Sequence, residues 1–124
     1  NFVDTMLSLA EKNLSEIKVV NDQIGNPTST SAVTYLIKDL LRTDYKGVVH
    51  CTCEGSATWY DFAKTIFELS GLHQKVVPCT SKEFVRPAPR PSNSRLEKRV
   101  IQMLGLAPMP EWKEELAKYL KTSI

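Results

Sequence analysis

Between Arg86 and Leu96 the chain reads Arg-Pro-Ala-Pro-Arg-Pro-Ser-Asn-Ser-Arg-Leu, with three prolines and three arginines in eleven residues. Proline fixes φ, removes a backbone donor and biases the preceding residue away from the helical region. The segment therefore cannot be helix interior or central strand, and it must run as a stiff, extended loop between separate elements. Two readings follow. It is a solvated proline-rich linker, or it is a track that presents the guanidinium forks of Arg86 and Arg90 to a phosphate or carboxylate at small entropic cost.

A chain of 124 residues, 42% hydrophobic and 24% charged, has the size and composition of one soluble domain with its own core. The formal charge of +2 is uninformative, but the segment Lys82–Arg99 holds six Lys/Arg against two Asp/Glu. No aromatic residue stands between Arg86 and Arg99 to stack on bases. The patch therefore suits a compact anion better than nucleic acid. No apolar run approaches the roughly 18 residues that span a bilayer, so no membrane partner and no signal peptide are expected. Cys51, Cys53 and Cys79 cannot all pair with one another, and Cys51 and Cys53 close an apolar run. Reduced core cysteines in a cytoplasmic protein are expected. His50 beside them completes no usual zinc pattern, so no metal is expected. The opening Asn1-Phe2-Val3 enters a helical pattern without an initiator Met or a preceding cap, as a segment of a longer polypeptide would.

Apolar spacing predicts an amphipathic helix from Phe2 to about Asn13, then a strand over Ile17–Val20 and a loop over Gln23–Thr28. The next helix is marked by Leu36, Ile37, Leu40 and Leu41, and Gly47–Thr52 reads as a second strand. Thr58 and Asp61 form a capping box opening a helix that Gly71 stops. Lys75–Pro78 reads as a short strand, and Thr80/Glu83 as a second box opening one or two turns. Ser94/Glu97 reads as a third box, before a helix carrying Leu96, Val100, Met103 and Leu104 that ends at Gly105. Pro110 at a first helical position opens the last helix, with Trp112, Leu116, Tyr119 and Leu120 inward. About five helices alternating with short strands make an α/β, or α+β-like, arrangement.

No catalytic constellation is legible: there is no glycine-rich dinucleotide fingerprint, Walker loop or nucleophile with its base. Tyr60 and Lys64 have the Tyr-x-x-x-Lys spacing of short-chain reductases, but they sit in the first turns of a capped amphipathic helix with no dinucleotide-binding turn ahead. A structural role is expected for both.

Five segments appear in the order and spacing of one family: Asn1-Phe2-Val3, Asp22-Gln23-Ile24-Gly25-Asn26-Pro27-Thr28, Gly47-Val48-Val49-His50, Trp59-Tyr60-Asp61-Phe62-Ala63 and Arg90-Pro91-Ser92-Asn93-Ser94-Arg95-Leu96. The chain closely resembles the C-terminal, substrate-binding part of bacterial dTDP-4-dehydrorhamnose reductase, an extended short-chain dehydrogenase/reductase. Met109-Pro110-Glu111-Trp112 resembles that family's tail, and the likeness covers essentially residues 1–124 as one substrate-binding domain.

The resemblance implies NAD(P)H-dependent reduction of the 4-keto group of dTDP-4-dehydro-L-rhamnose. It also implies that NADPH or NADH and the catalytic Tyr-x-x-x-Lys pair belong to an N-terminal Rossmann half absent from this chain. No catalytic or cofactor-binding residue is then expected here, and the fragment alone is expected to be inactive. The implied partners are a dTDP-sugar and the missing Rossmann half, with a homodimer left open. Asp22, Gln23, Pro27 and Thr28 match the family's loop beside the substrate. Arg86, Arg90, Pro91 and Ser94 match the segment enclosing the nucleotide sugar, and Asn1 matches an asparagine at the start of the substrate-side helix. Cys53 and Glu54 depart from the family's neutral turn and the run Ser29-Thr30-Ser31 is not diagnostic, so the resemblance fixes the nucleotide-sugar class more firmly than the sugar. Two rivals stand beside it. One is a non-catalytic regulatory module resembling the β subunit of methionine adenosyltransferase. The other is a different nucleotide-sugar reductase or epimerase.

Overall fold

A computed structural model describes residues 1–12, 14–84 and 87–123. In chain order it contains α1 (Phe2–Glu11), β1 (Ile17–Val20), β2 (Ile24–Gly25), α2 (Thr30–Leu40), β3 (Ala57–Thr58), α3 (Trp59–Ser70), β4 (Val76–Cys79), α4 (Arg99–Met103) and α5 (Trp112–Ser123). The mixed α/β class with five helices among the described residues matches the expectation. Contacts divide the chain into two compact units: Asn1–Gly25 with Ala57–Ser94, and Asn26–Ser56 with Arg95–Ile124.

In the first unit the β-branched run Ile17–Val20 pairs in parallel with β4, with Ile17 opposite Val76 and Val20 opposite Cys79. Two strands alone are marginal in water, and α3 covers this pair, packing on both strands and on α1. The helix forms because Thr58 and Asp61 make the reciprocal capping box, and it stops at Gly71 in the left-handed region. It buries Ala63, Ile66 and Phe67. The last two each contribute about 1.5–3 kcal/mol of apolar burial. On α1, Phe2 stacks on Phe62 at 5.4 Å between centroids and meets Trp59 at 4.8 Å. Asn1 caps α1 by accepting from the Asp4 N–H at 3.1 Å, so the helix does have a cap that the sequence reading missed.

The second unit is built from α2, α4 and α5 around Ala32, Leu36, Cys53, Ile101, Met109, Trp112, Leu116 and Leu120. Ser29 caps α2 by accepting from the Ala32 N–H. Its hydroxyl donates at 2.5 Å to Glu115, a carboxylate with 7% of its surface exposed. Lys118 closes that cluster on Glu115 at 2.6 Å.

Several expectations are corrected. Gly47–Thr52 forms no strand among the described residues, and Val48 is 79% exposed. A β-branched run needs a ladder, and the flanking backbone bonds elsewhere: the Cys53 N–H goes to the Thr28 hydroxyl and the Glu54 N–H to the Pro110 carbonyl. Ser94 does not cap α4, because its hydroxyl and its N–H both donate to the Ile24 carbonyl. The helix begins instead at Arg99 without a side-chain cap. Glu83 does accept from the Thr80 N–H and hydroxyl, but the segment makes only a turn over 81–84. Ile37 and Leu41 are exposed, leaving Ala32 and Leu36 as the buried face of α2. Pro110 precedes α5 rather than opening it. The expected end of α1 at Asn13 lies outside the described residues.

Candidate functional site

Parallel pairing of β1 and β4 brings their C-terminal ends to one edge of the first unit, the end of a parallel sheet where α/β proteins bind ligands. The loop after β1 supplies Asn21, Asp22 and Gln23, and the turn after β4 supplies Thr80 and Ser81. The Asn21 N–H continues the ladder to the Cys79 carbonyl at 2.9 Å. The Asp22 carboxylate then accepts from the Ser81 N–H at 2.9 and 3.1 Å and from the Ser81 hydroxyl at 2.6 Å. Those hydroxyl and amide bonds, in that order, hold the Asp22 carboxyl below its ordinary value. Gln23 Nε2 donates to the same Ser81 hydroxyl at 2.8 Å. Asn21 Oδ1 lies 2.8 Å from the Thr58 hydroxyl that caps α3.

The arginine-proline track runs alongside β2. Ile24, antiparallel to Thr58 on one side, donates its N–H to the Ser92 carbonyl and accepts from the Ser94 N–H on the other, each at 2.9 Å. This clamp holds Ser92–Ser94 as a third rib and fixes the point from which Pro91 and Arg90 emerge. Arg90, Pro91 and Ser94 are all exposed, and Arg90 makes no ion pair among the described residues. Arg86 lies outside the described residues.

The first unit thus carries Asn1, Asp22, Gln23, Arg90, Pro91 and Ser94. Asp22, Gln23 and Ser94 sit around β2 and the strand ends, whereas Asn1 caps α1. Pro27 and Thr28 belong to the second unit. There Thr28 donates to the Asn26 carbonyl at 2.8 Å and accepts from the Cys53 N–H at 3.1 Å. Asn26 ties the same loop down, donating to the Gly55 carbonyl at 2.6 Å and accepting from the Leu96 N–H at 3.0 Å. Sequence reasoning missed Ser81 and Asn26. Ser81 acquires its place only through the parallel pairing of β1 with β4, which the sequence does not reveal.

Tyr60 and Lys64 line a separate, shallow depression of about 590 Å³ together with Phe67, Glu68 and His73. Lys64 Nζ lies 5.9 Å from the face of the Tyr60 ring and 4.0 Å from Glu68. It therefore faces the π-surface and a carboxylate, which suits a packing role. Cys51, Cys53 and Cys79 are free thiols, and burial pushes Cys53 and Cys79 up. No helix among the described residues is long and apolar enough to cross a membrane.

Comparison with known proteins adds the family. The chain is 40% identical over 121 residues to the spore coat polysaccharide biosynthesis protein SpsK of Bacillus subtilis (strain 168), covering 98% of this chain and 42% of that protein. The crystal structure of a dTDP-4-dehydrorhamnose reductase from Clostridium acetobutylicum superposes with a TM-score of 0.94 at 43% identity, over 99% of this chain and 44% of that one. The Bacillus anthracis dTDP-4-dehydrorhamnose reductase in complex with NADP gives a TM-score of 0.92 at 35% identity, over 100% and 43%. The chain therefore spans about two-fifths of the length of the proteins it matches. The described strand-to-helix turns are not glycine-rich, and at the end of β4 the Ser81 amide that could meet a phosphate is already taken by Asp22. The profile of the RmlD substrate binding domain matches residues 1–124 from end to end, and the chain belongs to that family.

Proposed function

We propose that this chain is the nucleotide-sugar-binding part of an NAD(P)H-dependent dTDP-4-dehydrorhamnose reductase and is not catalytic by itself. The observation that carries the reading is the Arg90–Ser94 track, clamped by backbone bonds to Ile24 beside the loop that holds Asp22 and Gln23. A diphosphate wants a guanidinium fork on a stiff support, and a sugar wants amide and hydroxyl partners. Arg90, Pro91 and Ser94 supply the first, with Arg86 assigned by the family likeness alone. Gln23, held by the Ser81 hydroxyl, supplies the second. Asn1, Pro27 and Thr28 are assigned to the substrate by the same likeness, each to be tested within its own unit. NADPH or NADH is held by residues outside this chain. Three free thiols favour a reducing, cytoplasmic location.

The test has two arms. The isolated chain is expected to give no NAD(P)H oxidation with dTDP-4-dehydro-L-rhamnose, and turnover above background overturns its catalytic incompetence. In the complete polypeptide that carries this chain, Arg90→Ala is expected to weaken dTDP-L-rhamnose binding roughly tenfold or more, the scale of a lost charge-assisted bond. Unchanged affinity removes Arg90 from the site. UDP- and GDP-sugars run in parallel report the nucleotide preference.

A further inference from the structure

Resting on the nucleotide-sugar reading, we infer that Ser81 is a positioning residue that fixes which end of the Gln23 carboxamide meets the ligand. Gln23 presents its carbonyl oxygen, and the group it takes is a hydrogen-bond donor, either a sugar hydroxyl or the imide N–H of thymine, rather than the diphosphate.

The hydrogens available fix the orientation of the amide. A serine hydroxyl has one proton to give, and an ionised carboxylate can only accept. Ser81 Oγ lies 2.6 Å from Asp22 Oδ1, the short separation of a charge-assisted O–H···O bond, so the proton is committed there. The backbone N–H of Ser81 also points into the Asp22 carboxylate, at 2.9 Å from Oδ2, which fixes that carboxylate as the acceptor end of the chain. With its proton spent, Ser81 Oγ can only accept from Gln23 at 2.8 Å. Only Nε2 of a carboxamide can donate, so the amide orientation follows from the network. The order Gln23 Nε2–H to Ser81 Oγ–H to Asp22 has a single polarity. Gln23 is left to meet a ligand with its oxygen and at most one N–H.

That polarity bears on specificity. A carbonyl oxygen facing a phosphate oxygen sets two acceptors together, whereas facing a hydroxyl or an imide it completes a bond. Sites that bond a ligand donor reject analogues lacking it more strongly than apolar pockets reject a size change. Gln23 is thus assigned to the sugar or base, and the anion is left to Arg90.

The experiment measures dTDP-L-rhamnose, dTDP and inorganic pyrophosphate binding by calorimetry in the complete polypeptide carrying this chain, wild type against Ser81→Ala and Ser81→Thr. Ser81→Ala is expected to weaken dTDP-L-rhamnose about tenfold, to leave pyrophosphate unchanged, and to be rescued by Ser81→Thr, which keeps the hydroxyl. A loss confined to the sugar nucleotide assigns a sugar hydroxyl, and a loss shared by dTDP assigns the imide. Equal weakening of all three probes, or no change in any, overturns the inference. Wild-type protein that binds none of them removes the nucleotide-sugar reading as well, so the two failures are distinct. Should Ser81→Ala not fold, the side-chain amide resonance of Gln23 in wild-type protein decides. It is expected to move with dTDP-L-rhamnose and not with pyrophosphate, and movement with pyrophosphate alone overturns the assignment.

Discussion

A methyl group placed on Gly25 would lie 2.8 Å from the Ser94 hydroxyl, closer than real Cβ contacts come. Gly25 is therefore small because the arginine-proline track passes over it, and its role is spatial. The obstacle is a rotatable side-chain atom, so Gly25→Ala displaces Ser94 Oγ from the Ile24 carbonyl rather than breaking the fold. Gly25→Ala alone is expected to change stability little or lower it by about 1 kcal/mol, as contact strain and a lost bond oppose the unfolded-state gain. With Ser94→Ala already in place the clash is gone. The same glycine replacement is then expected to stabilise by roughly 0.4–1 kcal/mol. Urea midpoints of the four proteins in the cycle decide, and an unchanged effect of Gly25→Ala in the two backgrounds refutes the contact.

Thr58 joins three pieces of structure. It pairs with Ile24 in the short antiparallel ladder, caps α3 through the Asp61 N–H at 3.0 Å, and meets Asn21 at 2.8 Å. Loss of an N-cap hydroxyl costs about 1 kcal/mol and up to about 2. Thr58→Ala is expected at the upper end because Asn21 also loses its partner. Thr58→Ser keeps the oxygen and is expected within about 0.5 kcal/mol of wild type. Equilibrium denaturation followed by circular dichroism distinguishes them.

Local signals were legible in the sequence where one residue's chemistry settles the outcome. The Thr58/Asp61 box and the Gly71 stop appear as read, because each is decided within four residues, and Ile17–Val20 is a strand because Val76–Cys79 is there to pair with it. Non-local bonding was not legible. Gly47–Thr52 has strand composition, yet a strand exists only with a partner, and composition does not reveal whether one is present. Ser94 looked like a cap because Glu97 follows it at the right spacing, but Ile24, 70 residues earlier, takes its hydroxyl first. The candidate site divides the same way. Arg90 was visible as a charge on a stiff track, whereas Ser81 acquires its role from Asp22 and Gln23, which lie more than 50 residues away in the chain.

Glu115 makes acid stability measurable at one position. Its carboxyl is held below the ordinary value of 4.5 first by Lys118 and then by Ser29, against the opposing effect of burial. A lowered carboxylate contributes stability that is complete above the unfolded value and lost as pH falls through the folded one. The contribution is therefore expected in full at pH 6–7 and to be lost only as pH falls through the lowered folded value, beneath 4.5. Lys118 is raised above 10.5 by the same pair, so its share persists through neutral pH and disappears only as pH rises through that higher value. Its side chain is 67% exposed, so solvent screens the pair. Wild type is expected to exceed Glu115→Gln by about 1–2 kcal/mol at pH 7 and to lose that advantage as acid protonates the carboxyl. Melting curves across that range give the comparison, and a constant difference refutes the linkage.

Lys98 is the most enclosed cation with a described ion pair, its side chain 11% exposed. Nζ lies 3.2 Å from Glu54 Oε2 and donates to the Cys53 carbonyl at 3.3 Å. It thereby holds the segment whose backbone pairs with Pro110 and Trp112. The pair is enclosed on the lysine side while Glu54 stays 37% exposed, so removing Lys98 leaves a partly desolvated carboxylate without its attraction. Lys98→Met preserves the apolar stem and is expected to cost about 2–3 kcal/mol. Adding Glu54→Gln removes the stranded charge and is expected to recover about 1 kcal/mol of that, although the Cys53 carbonyl still lacks its donor. Denaturant midpoints for the two single variants and the double variant isolate the coupling. Additive losses would mean that the Glu54 carboxylate is well solvated, and that Lys98 acts in this unit through the Cys53 carbonyl alone.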